Sequence, residues 1–317
     1  MDTFSHILIA ILLLGKFDLK LALFAGIMAL ILDLDFVLAP FSRKIPILEH
    51  RGITHSLPGL IIVTLVAAVI FSIITNINYL FCLGAGLTGA FMHTIGDTMT
   101  SYGTSSLWPF IKEPVKLDVI LGVDPLTIIV SLTALPLLYS GYKNSNFQLF
   151  DTVYLIAAIF FGTYFLIRIV LKLVIHFKFH TKSLPMFNFF KYKIVYNTSY
   201  NQEGLEFREI KWQLYNLITR RLSPENRITY PLMNPMPPLD NDAKLIAYSH
   251  SLALTNRMLA HSKYHLYEIL NKTEDGLVIF WYALELAAGS YRMGVTVSLK
   301  RDGTHGEKNI YPYPRRH

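Results

Sequence analysis

Long apolar runs separated by short polar stretches fill the first half of the chain and stop near residue 176. A helix needs roughly 20 mostly apolar residues to cross the hydrocarbon core of a bilayer. Six apolar segments lie at about 4–15, 20–39, 57–75, 79–100, 119–140 and 152–175. Five approach the required length, whereas the first is a half-span or the tilted hairpin partner of the second. The pattern predicts an α-helical multi-pass membrane domain of five to six segments over residues 1–176.

Beyond that point the apolar runs give way to strand-like alternation and turn signals. Residues 190–215 have a strand pattern, and so do residues 265–286, which contain an Asp-Gly pair of the kind that closes a β-hairpin. A helical pattern begins at Asp242, and a final strand pattern covers residues 290–303. Residues 177–317 are therefore predicted to form a small soluble α+β domain.

Formal charge is divided unevenly between these two parts. The first contains ten Lys+Arg and ten Asp+Glu, whereas the second contains nineteen and twelve, so the net charge of +7 belongs to the second part. A basic domain beside a membrane is attracted to the anionic cytoplasmic leaflet, which makes membrane lipids the predicted partners. Basic runs before the terminal RRH do not exceed two residues, and no groove-reading motif is present, so no nucleic-acid partner is predicted.

The distribution of Lys and Arg among the loops predicts the orientation, because cytoplasmic loops carry the excess. Three regions are rich in these residues, namely the loop before residue 57, the loop after residue 100 and the end of the last segment. They contain Arg43, Lys44, Arg51, Lys112, Lys116, Arg168, Lys172, Lys178 and Lys182. The alternate loops contain only Lys16, Lys20 and Lys143. The rich loops and the C-terminal domain are therefore predicted to be cytoplasmic, in a multi-pass protein of the cell membrane.

Ionisable residues in or near the segments all fall on this predicted cytoplasmic side, and such residues usually mark function because burying them is costly. They are His6, Asp33, Asp35, His50, Arg51, His55, His93, Asp97, Asp118 and Asp124. In the sequence HTIGD, His93 and Asp97 are four residues apart and share one helix face. Three interpretations fit this pair. Both residues are metal ligands, or one is a ligand and the other the carboxylate that orients it, or the two form a buried hydrogen bond that holds helices together.

Two further motifs bring candidate ligands to the same side. In LDLDF, Asp33 and Asp35 end a helix, where the macrodipole disfavours carboxylates, so either a nearby cation or simple exposure to water explains them. In HRGITH, His50 and His55 are five residues apart and would diverge by about 140° on a helix. Gly52 permits a turn that brings both imidazoles to one centre, although two loop histidines near a membrane are also ordinary.

The available donors restrict the metal. The one cysteine, Cys82, lies in an apolar run, so neither an intramolecular disulfide nor a cysteine-based metal site is predicted. His6 is a further ligand or a hydrogen-bonded packing residue. The candidate ligands are His6, Asp33, Asp35, His50, His55, His93 and Asp97. This set of imidazoles and carboxylates favours Zn²⁺, with Mn²⁺ and Fe²⁺ as alternatives, and it exceeds the three ligands of one catalytic zinc, so one or two ions are predicted.

These motifs resemble those of the YdjM-like family, which is described as membrane-bound metal-dependent hydrolases. The matching stretches are MDTFSH, LDLDF, HRGITHSL, HTIGDTMTSYGTSSLWPF and VDPL, within the first 130 or so residues. Leu32 stands where the family usually has a proline before its first aspartate, but both aspartates are retained. The family is distantly similar to zinc-dependent phospholipases C, and that similarity implies hydrolysis of a phosphoester by analogy.

The combined interpretation is a membrane-embedded metal-dependent hydrolase that acts on an ester or phosphoester of a lipid or lipid-linked substrate at the cytoplasmic leaflet. Asp35 or Asp124 would accept a proton, Arg51 would clamp a phosphate, and Tyr102 would donate a hydrogen bond to a developing oxyanion. The alternative is a membrane scaffold, regulator or transporter with a structural metal site. A transporter is disfavoured because its sites usually lie at the midplane between repeated halves, and no repeat is found here.

Overall fold

A computed structural model of the protein describes most of the chain in two compact units, Met1–Val174 and Ile175–His317. The described residues are 1–34, 51–111, 113–202, 205–232, 239, 241–254, 262, 264–286 and 291–314. Two predicted site residues, Asp35 and His50, lie outside them. The predicted architecture of membrane helices followed by a smaller α+β domain is confirmed.

Within the described part of the first unit, six α-helices follow one another, with a short 3-10 turn at Ile53–His55 before the third. They are α1 (Thr3–Leu14), α2 (Leu19–Asp33), α3 (Leu57–Thr75), α4 (Tyr79–Thr98), α5 (Pro125–Lys143) and α6 (Phe147–Phe179). Four of them, α3 to α6, are long and apolar enough to cross a membrane. Helices α1 and α2 are shorter, with 12 and 15 residues. Helix α6 continues through the boundary between the two units.

The outer faces of these helices are apolar. On α3, Ile62, Val66, Ile70 and Ile73 recur at spacings of three or four residues, so they form one stripe along the helix, and all four are exposed. Lipid stabilises an exposed apolar stripe of this length because it keeps the side chains out of water, and the helical backbone already satisfies its own hydrogen bonds. The first unit is therefore a membrane domain.

Capping residues determine where the helices begin. The Ser56 side chain accepts a hydrogen bond from the Gly59 amide and starts α3. Asp124 does the same for the Leu126 amide, with Pro125 as the first residue of α5. The fifth apolar segment, predicted from residue 119, therefore becomes helical only at Pro125.

Close packing between α2 and α4 brings the candidate site together. At Gly89 of α4, a Cβ atom would lie 2.1 Å from the carbonyl oxygen of Ala25 in α2, so only glycine permits this approach. Because the two helices are in contact here, the C-terminal end of α2 at Asp33 lies beside the last two turns of α4.

The second unit contains two antiparallel sheets and one described helix, α7 (Asp242–Leu254). The first sheet consists of β1 (Lys182–Pro185), β2 (Lys191–Gln202), β3 (Leu205–Asn216), β4 (Arg221–Leu222) and β5 (Asn226–Pro231), in the order β1-β2-β3-β4 with β5 also paired to β3. The second consists of β6 (His265–Thr273), β7 (Gly276–Ala283), β8 (Tyr291–Lys300) and β9 (His305–Pro314), in sequential order. The predicted final strand corresponds to β8, and β9 follows it. The core contains Trp281, Phe280 and Leu245.

Candidate metal centre

Three structural elements place four potential ligands at one end of the membrane unit. The last two turns of α4 carry His93 and Asp97 one helical turn apart, as their spacing predicts. Asp33 is the last residue of α2, and His55 ends the 3-10 turn before α3. His55, His93 and Asp97 are buried, whereas the Asp33 side chain remains 14% exposed. Asp33 is therefore the one of the four that borders the outside of the group.

The four side chains converge closely enough to hold a metal ion. One ligand atom from each, on Asp33, His55, His93 and Asp97, lies within 4.8 Å of the others. The Nε2 atoms of His55 and His93 are 3.0 Å apart. His93 Nε2 is 3.5 Å from Asp33 Oδ1 and 3.6 Å from Asp97 Oδ2, and His55 Nε2 is 3.7 Å from the same Asp97 oxygen.

These separations fit the ligand shell of a small divalent cation. Two nitrogens bound to one tetrahedral zinc at the usual bond lengths lie about 3.3 Å apart. The His55–His93 separation and the three histidine–carboxylate separations given above, 3.0 to 3.7 Å, bracket that value, and all pairs lie within 4.8 Å. All four donors are imidazole nitrogens or carboxylate oxygens, which suit zinc, manganese or iron.

His6 lies against this group without being one of the four. Its Nε2 atom is 3.2 Å from Asp97 Oδ1, the oxygen that faces away from His55 and His93, and its ring centroid is 3.9 Å from that of His93. Gly96 makes room for it, because a Cβ there would lie 2.8 Å from His6 Cε1. His6 therefore positions Asp97 and His93.

Two buried ring nitrogens in this group have no partner. Among the described residues, neither His6 Nδ1 nor His93 Nδ1 has a hydrogen-bond partner. Leaving a buried donor or acceptor unsatisfied costs about 1–3 kcal/mol. Both atoms point away from the Nε2 side on which His93 meets His55, Asp33 and Asp97, so a metal bound at Nε2 would not satisfy them.

Arg51 contacts one of the four ligands, and Tyr102 contacts Arg51. Arg51 Nε is 3.0 Å from Asp97 Oδ2, and its guanidinium carbon lies 5.2 Å from the centre of the Tyr102 ring. The Arg51 Nη1 atom donates to Thr100 Oγ1 at 3.3 Å. The backbone joins the two segments as well, since the Ser105 amide donates to the Arg51 carbonyl oxygen at 3.1 Å. The predicted phosphate clamp and hydrogen-bond donor thus lie next to each other at the ligand group.

Asp124 is not brought into this group. Besides capping α5, its Oδ2 atom accepts hydrogen bonds from Tyr164 at 2.6 Å and from Arg168 Nη2 at 3.1 Å. All three side chains are buried within the membrane unit. This carboxylate therefore anchors α6 to the start of α5. Arg168 is one of the cations from which the orientation is predicted, but its side chain is buried and paired with Asp124.

Comparison with known proteins assigns most of the first unit to a family. The profile of the YdjM inner membrane protein family matches residues 1–170. The chain belongs to this family. It is also 30% identical over 149 residues to the uncharacterized protein YfhP of Bacillus subtilis (strain 168), a match that covers 47% of this chain and 44% of the relative. The chain thus matches less than half the length of that relative. No solved structure matches.

The region shared with the YdjM family contains every described residue of the candidate centre. The family resemblance recognised from MDTFSH, LDLDF, HRGITHSL and HTIGD is thereby confirmed. The hydrogen-bond partners of the carboxylates were not predicted. The α-ammonium group of Met1 forms an ion pair with Asp97 Oδ1, and the Thr3 hydroxyl donates to Asp33 Oδ2. Neither interaction has a signal in the local sequence pattern, because both depend on how α1 packs against α2 and α4.

Proposed function

We propose that this membrane protein is a divalent-metal-dependent hydrolase that cleaves an ester or phosphoester bond of a lipid or lipid-linked substrate at the cytoplasmic leaflet. The observation that carries the proposal is the convergence of four ligand atoms on Asp33, His55, His93 and Asp97 within 4.8 Å of one another. Two imidazoles and one carboxylate buried at the end of membrane helices, with a second carboxylate at their edge, are costly unless a function retains them.

Zinc is the proposed metal, with manganese or iron as alternatives, because the donors are nitrogen and oxygen without sulfur. A metal bound by these residues would make a coordinated water more acidic and would stabilise negative charge on the attacked group. Asp33 borders the outside of the group, which favours entry of substrate on its side. A second ion would need the additional candidates, Asp35 and His50.

The residues around the ligands supply the remaining functions of the proposed reaction. Arg51 brings a cation next to Asp97, where it can bind a phosphate or carboxylate oxygen of the substrate. Tyr102 stacks against Arg51 and is proposed to donate a hydrogen bond to the developing oxyanion. The Asp124 carboxylate is hydrogen-bonded to Tyr164 and Arg168. Of the two predicted proton acceptors, Asp35 is therefore the proposed one.

The proposed substrate class follows from the position of the ligands at the ends of helices. Helix ends lie near the level of the lipid headgroups, where the ester and phosphoester bonds of lipids are found. The positive-inside distribution of Lys and Arg supports the cytoplasmic leaflet as the side of entry.

A structural metal site is the second candidate, and one feature of the geometry favours it. Four protein ligands complete a tetrahedral shell, which is typical of structural zinc, whereas catalytic zinc keeps an open position. In addition, the oxygens of Asp97 already contact Met1, His6 and Arg51. In this case the metal would hold α2, α3 and α4 together, and the protein would be a scaffold or regulator.

Metal content tests the site itself. Elemental analysis of detergent-purified protein is expected to find about one zinc, manganese or iron per chain, the stoichiometry of one four-ligand site. Asp97→Asn should lose the metal, while Asp151→Asn, which alters an exposed carboxylate paired with Lys16, should retain it. Folded wild-type protein that neither contains nor takes up metal contradicts both the hydrolase and the structural site.

Product formation separates the two candidates. Phospholipids and polyprenyl phosphates are incubated with metal-loaded wild type and with His93→Ala, and the lipids are compared by mass spectrometry. Products that appear only with the wild type support the hydrolase. Metal that is bound stoichiometrically without any such product supports the structural site.

A further inference from the structure

One end of the first sheet in the second unit lies directly beside the last turn of α6. Lys178 Nζ donates a hydrogen bond to the Tyr215 hydroxyl at 2.7 Å, and the rings of Phe179 and Tyr215 meet edge to face at 4.9 Å. Tyr215 pairs with Tyr192 near the start of β2. We refer to this end of the β2–β3 hairpin as the proximal end and to the end near Gln202 as the distal end.

Two loops at the proximal end expose large apolar side chains. Phe187 and Phe190, in the loop between β1 and β2, are 47% and 43% exposed. Ile218 and Leu222, at the turn between β3 and β4, are exposed as well. The two loops are neighbours, because the Leu217 amide donates to the Phe190 carbonyl oxygen at 2.9 Å. Clustered apolar exposure of this kind marks an interaction surface.

The charge of the proximal end restricts the partner. The segments that form this end, residues 178–192 and 214–224, contain five Lys and Arg and no Asp or Glu, and the acidic residue that follows them is Glu225. Lys191 pairs with Asn216 at this end, and the exposed Arg221 pairs with the same residue. Acidic residues appear on β3 only towards the distal end, at Glu206 and Glu209. Phenylalanines surrounded by basic side chains are typical of surfaces that enter an anionic lipid interface.

Chain continuity keeps the proximal end close to the bilayer. Helix α6 has 33 residues and is therefore about 50 Å long, whereas the hydrocarbon core measures about 30 Å. Its last turns consequently extend into the headgroup region or just beyond it. Only two residues separate the end of α6 at Phe179 from the start of β1 at Lys182. The proximal loops, in contact with that last turn through Tyr215, are thus tethered beside the membrane.

We propose that Phe187, Phe190, Ile218 and Leu222, together with Lys191, Arg220 and Arg221, form a docking surface for an anionic membrane leaflet. The apolar side chains enter the interface, and the basic side chains contact the headgroups. This surface adds a second attachment of the C-terminal domain to the membrane besides α6. The inference does not depend on the proposed hydrolase activity.

Fluorescence quenching in nanodiscs tests the proposal on the full-length protein. The single native cysteine, Cys82, is buried and is first replaced by alanine. An environment-sensitive nitrobenzoxadiazole label is then attached at Phe187→Cys or, as the matched control, at Tyr200→Cys. Tyr200 is a 41% exposed aromatic residue on β2, nine residues or about 30 Å along the strand from Lys191 at the proximal end. The nanodiscs contain brominated lipid in either phosphatidylcholine or a phosphatidylglycerol mixture.

The expected result is a blue-shifted emission at position 187 that brominated lipid quenches at least about twofold, more strongly with phosphatidylglycerol, and an unquenched, water-like emission at position 200. Arg221→Glu should reduce the quenching at 187. Arg227→Glu should reduce it less, because that exposed arginine pairs with Lys211, four residues or about 13 Å along β3 from Tyr215.

Three outcomes overturn the proposal. The label at 187 could be as water-like as the label at 200 in both lipids. It could be blue-shifted but unquenched, which would mean that protein, including a second copy of this chain, covers the surface. Equal quenching in both lipids, unaffected by Arg221→Glu, would exclude recognition of anionic headgroups.

Discussion

His55 and His93 direct their Nε2 atoms at each other across 3.0 Å, although 38 residues separate them in the chain. Two neutral imidazoles can share a single proton in this geometry, but neither nitrogen then remains for Asp33 or Asp97, which both lie within 4 Å of His93 Nε2. A cation between the four atoms would satisfy all of them at once. The His55–His93 pair is therefore the feature of this site that most directly predicts metal binding.

The first prediction is that His93→Ala lowers metal affinity more than about 100-fold, because even residues that only orient metal ligands contribute 10–100-fold. Competition with a chromophoric chelator measures the affinity. His176→Ala, which removes an exposed histidine from α6, is the matched control and should bind metal like the wild type. Equal affinities for all three proteins would show that any bound metal lies elsewhere.

The second prediction concerns two glycines of the same helix. Gly89→Ala places a Cβ within 2.1 Å of the Ala25 carbonyl oxygen, so α2 and α4 must separate. We expect a loss of about 1–3 kcal/mol in stability, as for other overpacked sites, together with weaker metal binding. Gly84→Ala meets nothing within 4 Å and should leave both properties unchanged. Thermal unfolding in detergent, with metal content measured in parallel, compares the variants; if Gly89→Ala behaved like Gly84→Ala, close packing would not set the site geometry.

Much of the site could be predicted from local sequence, because its determinants are local. The apolar runs marked the helices, the spacing of four placed His93 and Asp97 on one face, and the side of the membrane brought Asp33 and His55 to the same end. A group of Asp33, His55, His93 and Asp97 was therefore foreseeable before any distance was known.

The remaining contacts could not be predicted, because they depend on partners that lie far away in the chain. Arg168 was counted among the loop cations and Asp124 was interpreted as a proton acceptor, yet the two side chains meet 3.1 Å apart inside the membrane unit. Nothing in the residues flanking either one indicates the other, 44 positions away. The same holds for β5, which lies in a proline-rich stretch but pairs with β3.

The third prediction compares a buried and an exposed ion pair. Arg168→Leu leaves the buried Asp124 carboxylate with the Tyr164 hydroxyl and the Leu126 amide as donors but without its cation, and breaking a buried pair in this way typically costs about 3–5 kcal/mol. Lys16→Leu breaks an exposed pair with Asp151 and should cost at most about 1 kcal/mol. Denaturant titration in mixed micelles gives both values. The double variant Arg168→Leu/Asp124→Leu should recover part of the loss, and equal effects of the two single variants would contradict a structural ion pair at Asp124.

A buried histidine pair in the second unit gives the fourth prediction. His250 Nε2 lies 3.0 Å from His265 Nδ1, and the His250 ring packs 4.6 Å from that of Trp281. Burial, the neighbouring His265 and the Arg208 cation lower the pKa of His250 to about 3. In the unfolded chain this imidazole titrates near its ordinary value of about 6.5. Between these two values the unfolded state binds more protons than the folded state, so protonation favours unfolding as the pH falls.

The stability of the C-terminal domain should therefore decrease below about pH 6.5, by up to about 1.4 kcal/mol per pH unit until the pH approaches the folded pKa. Hydrogen exchange of the β7 amides around Trp281, measured on the full-length protein between pH 7 and pH 5 and corrected for intrinsic exchange rates, reports the free energy of opening. His250→Gln should flatten this pH dependence, because it removes the group whose protonation is linked to unfolding. His305→Gln, a change at an exposed histidine of the same unit, should preserve it. A slope that is identical in the wild type and His250→Gln would assign the acid sensitivity to a different group.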